Sequence, residues 1–208
     1  MAFDKTTLTT TLETIFASME NMTEGNEDVF ASGVSNAVVA FVATGQVTTI
    51  DNGTVAGGVF SGAGNGSLAV TPASCIGIIK NALTVMKNMT SGGDDYFAEE
   101  LGKGLKQMAD EGTVLTVVNG TLQPPASSPI TYAGSAKGSI SCQKEMLVTS
   151  LKLLFKQMWN RREETGYNGN KEFAKELANG VHKMYTSGSI RTNGLANLTG
   201  SVGNGSIS

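Results

Sequence analysis

Residues 30–45 read FASGVSNAVVAFVATG, residues 97–112 read FAEELGKGLKQMADEG and residues 173–188 read FAKELANGVHKMYTSG. The three blocks align without a gap, and each begins with Phe-Ala and ends with Gly. Apolar residues recur in steps of four, four and three: Phe30, Val34, Val38 and Phe41; Phe97, Leu101, Leu105 and Met108; Phe173, Leu177, Val181 and Met184. This spacing places them on one face of an α-helix, and the final glycine is typical of a left-handed cap. Each block therefore predicts a helix that ends at its glycine, with Phe30, Phe97 and Phe173 as equivalent core anchors.

A further helix is predicted before each block. Its apolar stripe comprises Leu8, Leu12, Ile15, Phe16, Met19 and Met22 in the first copy; Cys75, Ile79, Ala82, Leu83, Met86 and Met89 in the second; Leu147, Leu151, Leu154, Phe155 and Met158 in the third. Because the connection to the block is short and polar, the two helices are expected to form an antiparallel αα-hairpin. The connecting phrase Met-x-Asn-Met-Thr occurs at residues 19–23 and 86–90. The third copy departs from it, with Met-Trp-Asn at residues 158–160 followed by four extra residues.

Short β-branched segments follow the first two blocks, QVTTI at residues 46–50 and TVLTVV at residues 113–118. All three copies then reach an Asn-Gly pair, at residues 52–53, 119–120 and 193–194. Since Asn-Gly suits turns with positive φ, a second strand is expected after each pair, at residues 55–60, 122–132 and 195–199.

The sequence thus predicts an α+β protein of three tandem repeats, each an αα-hairpin followed by a short β-hairpin, with units at residues 1–70, 71–141 and 142–208. An isolated two-stranded hairpin is marginal in water. The strand edges are therefore expected to pair with adjacent repeats or adjacent subunits. Residues 200–208 are predicted to be the most exposed of these segments, because no helix follows them.

Composition narrows the classes of partner. Of the 208 residues, 40% are hydrophobic and 16% are charged, and the formal net charge is −3. This charge gives no electrostatic basis for binding nucleic acid. The most basic run, residues 152–162, precedes Glu163 and Glu164 and is interpreted as a solvated helix face. No apolar run has the length of a membrane span, and no signal peptide is visible, so neither nucleic acid nor membrane is expected as a partner.

The glycine-rich phrases at residues 62–68, 134–140 and 200–207 invite comparison with a phosphate-binding loop. A P-loop requires Gly-Lys-Ser/Thr between a strand and a helix, and here each serine follows a glycine. These phrases are therefore interpreted as turn or strand backbone. His182, the only histidine, lies one position beyond the apolar stripe and is placed on a helix flank, with no nucleophile at a recognisable spacing.

The remaining candidates for chemistry have structural interpretations. Asp94, Asp95, Glu99 and Glu100 resemble a carboxylate group, but they are also favourable charges near a helix N-terminus. Two cysteines, at positions 75 and 142, have no metal-ligand spacing and are expected to be reduced and unpaired. The sequence therefore assigns no catalytic, cofactor-binding or metal-binding residue, and no small-molecule substrate is expected.

A phrase made of a helix ending in Gly, then Val-Thr-Thr, Asn-Gly-Thr and Gly-x-Gly-x-Gly-Ser-Leu/Ile, is complete in the first unit and recurs in part in the other two. It resembles virion structural proteins of tailed bacteriophages. The resemblance implies a non-enzymatic building block of the tail, neck or baseplate first, and of capsid decoration second. Such a protein would assemble in the host cytoplasm, reside in the virion, and contact itself and other virion structural proteins. The resemblance transfers no catalytic residue.

The alternative belongs to a different class of protein. It is a soluble enzyme or small-ligand-binding protein with a site between repeats, using Cys75, His182 or the acidic helix starts. A cofactor retained by the purified protein would favour this alternative, whereas large homo-oligomers or co-purifying virion proteins would favour assembly.

Overall fold

Helices and strands alternate in pairs along the chain. The computed structural model describes residues 3–55, 58–124, 128–193 and 202–207. Its elements are α1 (Lys5–Met19), α2 (Asn26–Thr44), β1 (Val47–Val55), β2 (Gly58–Ala69), α3 (Ala73–Met86), α4 (Gly93–Asp110), β3 (Thr113–Gln123), β4 (Ile130–Ser141), α5 (Glu145–Arg161), α6 (Gly169–Thr186), β5 (Ser189–Asn193) and β6 (Val202–Ile207). The protein is therefore α+β, with six helices and six strands in the part that the structure describes.

The three sequence blocks form α2, α4 and α6, as predicted. These helices end one or two residues before Gly45, Gly112 and Gly188. The left-handed cap predicted at these glycines is wrong, because none of the three has a positive φ. The glycines are instead required by close packing. A Cβ at Gly45 would lie 2.3 Å from a ring carbon of Phe3, and one at Gly188 would lie 2.8 Å from Cδ1 of Ile140.

The strands form one closed antiparallel barrel in the order β1-β2-β3-β4-β5-β6. Each strand pairs with the strands before and after it, and β6 pairs with β1 to close the ring. The expected pairing of hairpins with their neighbours therefore occurs within one chain. Within the described residues the ring is not paired along its whole height: residues 130–136 of β4 pair only with β3, and residues 53–55 of β1 pair only with β2.

The C-terminal segment is the closing strand rather than an exposed tail. Within residues 202–207, β6 pairs with β1 on one side and β5 on the other, and Ile207 is buried in the core. The prediction that residues 200–208 form the most exposed segment is therefore wrong for the described part. The second strand of the third unit, expected at residues 195–199, lies outside the described residues.

The turns predicted at two Asn-Gly pairs are also wrong. Asn52 and Gly53 lie inside β1 and pair with Ser61 and Phe60 of β2. Residues 119–120 likewise lie inside β3. Gly120 has a packing role instead, since a Cβ at this position would lie 2.8 Å from the Phe60 ring and 2.3 Å from the carbonyl oxygen of Ser61. In the third copy, residue 193 ends β5 and residue 194 lies outside the described residues.

The register of the strands makes the barrel narrow. A path that starts at Leu68 in β2 and steps to the paired residue on each next strand passes through Val114, Gly138, Thr192, Gly203 and Asp51. It returns to β2 at Gly62, so the register shift around the barrel is six residues. An eight-stranded barrel already has an interior that side chains can fill. Six strands with a shift of six residues leave less room, which restricts the side chains that the interior accepts.

Interior residues are arranged in layers that reflect this restriction. The layer nearest the helices has one buried aliphatic residue per strand: Val47, Leu68, Val114, Ile140, Ile190 and Ile207. The next positions inward alternate threonine with glycine: Thr49, Gly66, Thr116, Gly138, Thr192 and Gly205. A Cβ at Gly66 would lie 1.8 Å from the carbonyl oxygen of Leu115. The glycine-rich phrases are therefore strand backbone, one of the two interpretations that the sequence left open.

The helices form a second ring over one end of the barrel. Each helix contacts the helices before and after it in the chain, and α6 contacts α1. Their buried residues and the aliphatic layer of the barrel belong to one core cluster. The block helices α2, α4 and α6 bury the most residues, and we call them the inner helices. We call α1, α3 and α5 the outer helices.

An aromatic cluster fills the ring near the starts of the inner helices. The Phe30 ring centroid lies 5.6 Å from that of Phe97 and 6.1 Å from that of Phe173. From the outer helices, Phe16 lies 5.1 Å from Phe173, and Phe155 lies 5.5 Å from Phe173. All three predicted anchors are buried. Aromatic pairs at such distances add to the free energy gained by burial alone.

We predict that replacing any one of Phe30, Phe97 or Phe173 with Ala lowers the free energy of unfolding by about 3–5 kcal/mol, because each ring is buried in the shared cluster. Chemical denaturation of each variant measures the change. Leu153→Ala is the control, because Leu153 is 57% exposed on α5. Three variants as stable as the control would show that the rings do not anchor the core.

We also predict opposite effects for two Gly→Ala substitutions. Gly66→Ala should lower the free energy of unfolding by at least about 1–3 kcal/mol, because the added Cβ would overlap the backbone of the neighbouring strand at Leu115. Gly77→Ala, within α3, has no atom within 4 Å of the added Cβ and should stabilise by roughly 0.5–1 kcal/mol. Thermal unfolding of both variants measures whether Tm falls for Gly66→Ala and rises for Gly77→Ala. A higher Tm for Gly66→Ala would contradict the close packing of the barrel.

Candidate functional site

His182 has an aromatic environment. Its ring lies 6.2 Å from the ring of Phe3 and 6.2 Å from that of Phe41. Partial burial, with a smaller contribution from the charge of Lys5, lowers the pKa of His182 below its ordinary value. The structure places His182 at the flank of α6, as predicted, where it packs against aromatic rings.

The two cysteines are free and buried, which confirms the prediction that they are unpaired. Burial raises the pKa of Cys75 to about 11 and that of Cys142 to about 12. Since the thiolate is the nucleophilic form, neither thiol is activated near neutral pH. Each sulfur packs against a glycine of another segment, Cys75 near Gly104 and Cys142 near Gly188.

The carboxylates at the start of α4 do not converge on a site. Asp94 and Asp95 lie in the first helical turn, as predicted. Glu99 instead links α4 to α5, with its oxygens 2.5 Å from Nζ of Lys144 and 2.7 Å from Nζ of Lys152. The hydrogen bond from Lys144, followed by that from Lys152, lowers the pKa of Glu99.

The basic run at residues 152–162 is largely matched by acidic partners. Arg161 lies 2.8 Å from Glu164, and Arg162 lies 3.3 Å from Glu163, in addition to the pairing of Lys152 with Glu99. Lys156 has no ion pair within the described residues. The described part of the chain also has no group of three or more His, Cys, Asp or Glu side chains placed to hold a metal ion. None of its helices combines the length and apolarity of a bilayer span.

Inside the barrel, a buried carboxylate lies among hydroxyl groups. Asp51 accepts a hydrogen bond of 2.5 Å from Oγ1 of Thr49 and one of 2.9 Å from Oγ1 of Thr192. All three side chains are buried. The third threonine of the layer, Thr116, has no hydrogen-bond partner for its hydroxyl. Residue 118, which aligns with Asp51 in the second unit, is a valine, so the carboxylate occurs in only one of these two copies.

We predict that Thr192→Val lowers the free energy of unfolding by about 1–3 kcal/mol, because it removes a donor from a buried carboxylate. Thr116→Val is the matched control, and its effect should be near zero or stabilising because its hydroxyl has no partner. Replacing Asp51, Thr49 and Thr192 together with Val should recover part of the lost free energy of unfolding, since no polar group of this network is then left unsatisfied. Equilibrium denaturation compares the variants, and equal effects at positions 116 and 192 would contradict the network.

The outer wall of the barrel has an unusual composition. Its outward residues are mostly Thr, Ser and Asn, and across the described strands only Lys137 and Arg191 carry a charge there. Four exposed aliphatic residues lie on the outer side of the consecutive strands β1, β2 and β3: Ile50, Val59, Leu115 and Val117. Val59 lies apart from the others, because it is opposite Gln123, eight residues along β3 from Leu115. We call Ile50, Leu115 and Val117 the aliphatic patch. Exposed apolar groups of this kind commonly mark protein interaction sites.

The aliphatic patch was hard to predict from the amino-acid sequence. In β1 the alternation places Thr49 and Asp51 inside and Ile50 outside, where it is 67% exposed. This is the reverse of the usual pattern of apolar residues inside and polar residues outside. The one available signal was that Ile50 and Val117 occupy aligned positions in the first two units. The third unit has Asn193 at this position.

Comparisons with protein-family models, with curated proteins and with solved structures find no match to this chain. A function can therefore be proposed only from the residues and geometry of this chain.

Proposed function

We propose that the chain is a non-enzymatic structural and assembly protein of a phage virion, in the tail, neck or baseplate rather than as a capsid decoration. In this role it associates with itself and with other virion structural proteins, and it assembles in the host cytoplasm. The observation that carries the proposal is the aliphatic patch on an almost uncharged barrel wall.

The composition of the wall suits association through its face. Burying the exposed side chains of the aliphatic patch would release apolar surface from water. Ile and Val are stiff at χ1, so ordering them costs little side-chain entropy. Because the wall has so few charged side chains, a partner that covers it incurs little desolvation penalty from charged groups. Because the strand residues of the aliphatic patch are paired on both sides, the proposed interaction takes place between faces at this patch rather than by strand addition.

We further propose that the chain consists of three tandem repeats, each an αα-hairpin followed by a β-hairpin. The element order of two helices and two strands, three times over, supports this. So do the equivalent positions of Phe30, Phe97 and Phe173 in one cluster. Superposition of an experimental structure unit on unit would test the proposal, and units that cannot be overlaid would refute it.

We predict that the double variant Ile50→Thr/Val117→Thr associates less than the original chain, because it removes two apolar side chains from the aliphatic patch. Thr keeps the β-branched shape that suits strands. The control is Met146→Thr/Leu153→Thr, which changes two residues that are each 57% exposed on α5, away from the barrel wall.

Sedimentation velocity of the full chain measures the size distribution of its oligomers. Co-sedimentation with phage virions tests whether the chain is incorporated into these particles. The original chain and the control should form the same oligomers and enter particles, whereas the wall variant should shift to smaller species. If the wall variant assembles as well as the control, the patch is not an interface. If the original chain remains a monomer and enters no particle, the structural role itself fails.

The alternative is a small-ligand-binding protein with a site between repeats. One specific observation favours it: a groove between α4 of the second unit and α5 of the third is lined by Asp94, Lys156, Trp159 and Asn160. Mass spectrometry of the purified chain under native conditions separates the two functions. A retained molecule at stoichiometric occupancy would favour the ligand-binding function.

A further inference from the structure

Three corners of the helix ring occupy aligned positions but have different chemistry. A corner is the place where the start of one inner helix meets the end of an outer helix: α2 with α3, α4 with α5, and α6 with α1. The inner helices present Glu27, Asp94 and Asn170, each three residues before the block phenylalanine. The outer helices present Lys87, Trp159 and Glu20, each directly after an aligned methionine.

Two of the three corners are bridged by a polar contact between these residues. At the first, Nζ of Lys87 lies 2.5 Å from Oε1 of Glu27, and the hydrogen bond from Lys87 lowers the pKa of Glu27. At the second, Nδ2 of Asn170 donates a hydrogen bond of 2.9 Å to Oε1 of Glu20. The paired residues differ, an ion pair in one corner and an amide–carboxylate pair in the other, but both contacts link the same two positions.

The corner between α4 and α5 has no contact of this kind, and its groove is larger than the hollow of about 250 Å³ that lies beside Glu20 and Asn170 at the α6–α1 corner. Here Asp94 is opposite Trp159, whose ring cannot form the ion pair that Lys87 forms. The result is a groove of about 470 Å³ lined by Asp94, Lys156, Trp159 and Asn160. An adjoining hollow adds Phe155 and Met158 as apolar surface. Neither Asp94 nor Lys156 forms an ion pair in the portion of the chain that the structure describes.

Trp159 is held in place although it is 64% exposed. The guanidinium carbon of Arg162 lies 4.0 Å from the centroid of the Trp159 ring. Nη1 of Arg162 donates a hydrogen bond of 2.9 Å to the carbonyl oxygen of Trp159, and Nη2 lies 3.3 Å from Glu163. Such cation–π stacking orients the ring. A fixed aromatic surface loses less entropy on binding than a mobile one.

We propose that the groove between α4 and α5 binds a saccharide. A sugar ring has a face of C–H groups, which suits the negative face of an indole ring. It also has a rim of hydroxyl groups, each of which donates and accepts hydrogen bonds. Lys156 and the amide of Asn160 supply donors, and Asp94 supplies an acceptor. The groove volume lies within the range of small-molecule sites.

The charges in the groove argue against other ligand classes. Asp94 disfavours a phosphate or carboxylate ligand through like-charge repulsion, and the cations Lys156 and Arg162 disfavour an ammonium ligand. A neutral ligand that both donates and accepts hydrogen bonds fits this mixture best. The site does not depend on the virion role, and it departs from the sequence-based expectation that no small molecule binds.

The experiment uses the full chain and two variants on an array of immobilised glycans. Trp159→Lys recreates the residue of the bridged first corner, so Lys at position 159 is expected to pair with Asp94 and fill the groove. Leu153→Lys is the matched control, because it adds the same charge at an exposed position on the same helix, outside the residues that line the groove. Circular dichroism establishes that both variants are folded.

The original chain and the Leu153→Lys control should retain the same glycans, and Trp159→Lys should lose roughly tenfold or more in affinity, as expected for removal of a central tryptophan. Because Trp159 is the only tryptophan in the chain, titration of each retained glycan should also change the intrinsic fluorescence of the original chain. Glycan binding that Trp159→Lys leaves unchanged would overturn the proposal, and so would the absence of any retained glycan. Loss of a polypeptide partner by Trp159→Lys, with no glycan retained by the original chain, would assign the corner to a protein interface instead.

Discussion

Closure of a six-stranded barrel with a register shift of six residues is the constraint on which the rest of the structure depends. It brings the backbones of neighbouring strands so close that a Cβ at Gly66, Gly138 or Gly205 would lie within about 2.2 Å of a carbonyl oxygen on the next strand. Every even-numbered strand therefore has glycine in the layer where the odd-numbered strands have threonine. This layer accounts for three of the 26 glycines among the 208 residues, a glycine share well above the usual one of roughly 7%.

The same closure determines where the helices lie. Each inner helix ends one or two residues before a glycine and passes directly into an odd-numbered strand, so closing the strands also arranges the helices in a ring. The aliphatic layer from Val47 to Ile207 then joins the helix core, and the two rings share one hydrophobic cluster. Loss of any strand would therefore disturb both rings. For this reason β6, although it is the last described element, is an integral part of the fold.

The sequence predicted the parts of the fold that depend on local periodicity. The spacing of Phe30, Val34, Val38 and Phe41 was sufficient to identify a helix, because one buried face repeats every three or four residues. Closure of the barrel could not be predicted in this way, because it depends on the register between distant strands. Gly53 and Gly120 were misread for the same reason. Asn-Gly is a strong local turn signal, but both pairs lie inside strands, and Gly120 is needed where the ring of Phe60 and the neighbouring backbone fill the interior. The candidate groove was likewise invisible as a motif, since it joins Asp94 to Trp159 across two helices.

Differences between aligned positions indicate where function is located in such a protein. Interior positions have little freedom, because the narrow barrel and the aromatic cluster accept few side chains, so aligned interior residues are similar. Corners and the outer wall are free to vary, and there the copies differ most, with Lys87, Glu20 and Trp159 at one aligned position and Ile50, Val117 and Asn193 at another. An exposed tryptophan at a corner where the other copies form a polar contact contributes no such contact to the ring. In the proposed saccharide site, this indole ring, stacked on Arg162, is the surface that contacts the ligand. Asp51 is the exception, a polar residue inside the barrel. Because two threonines of the glycine–threonine layer donate to it, the layer itself provides the hydrogen bonds that a buried carboxylate requires.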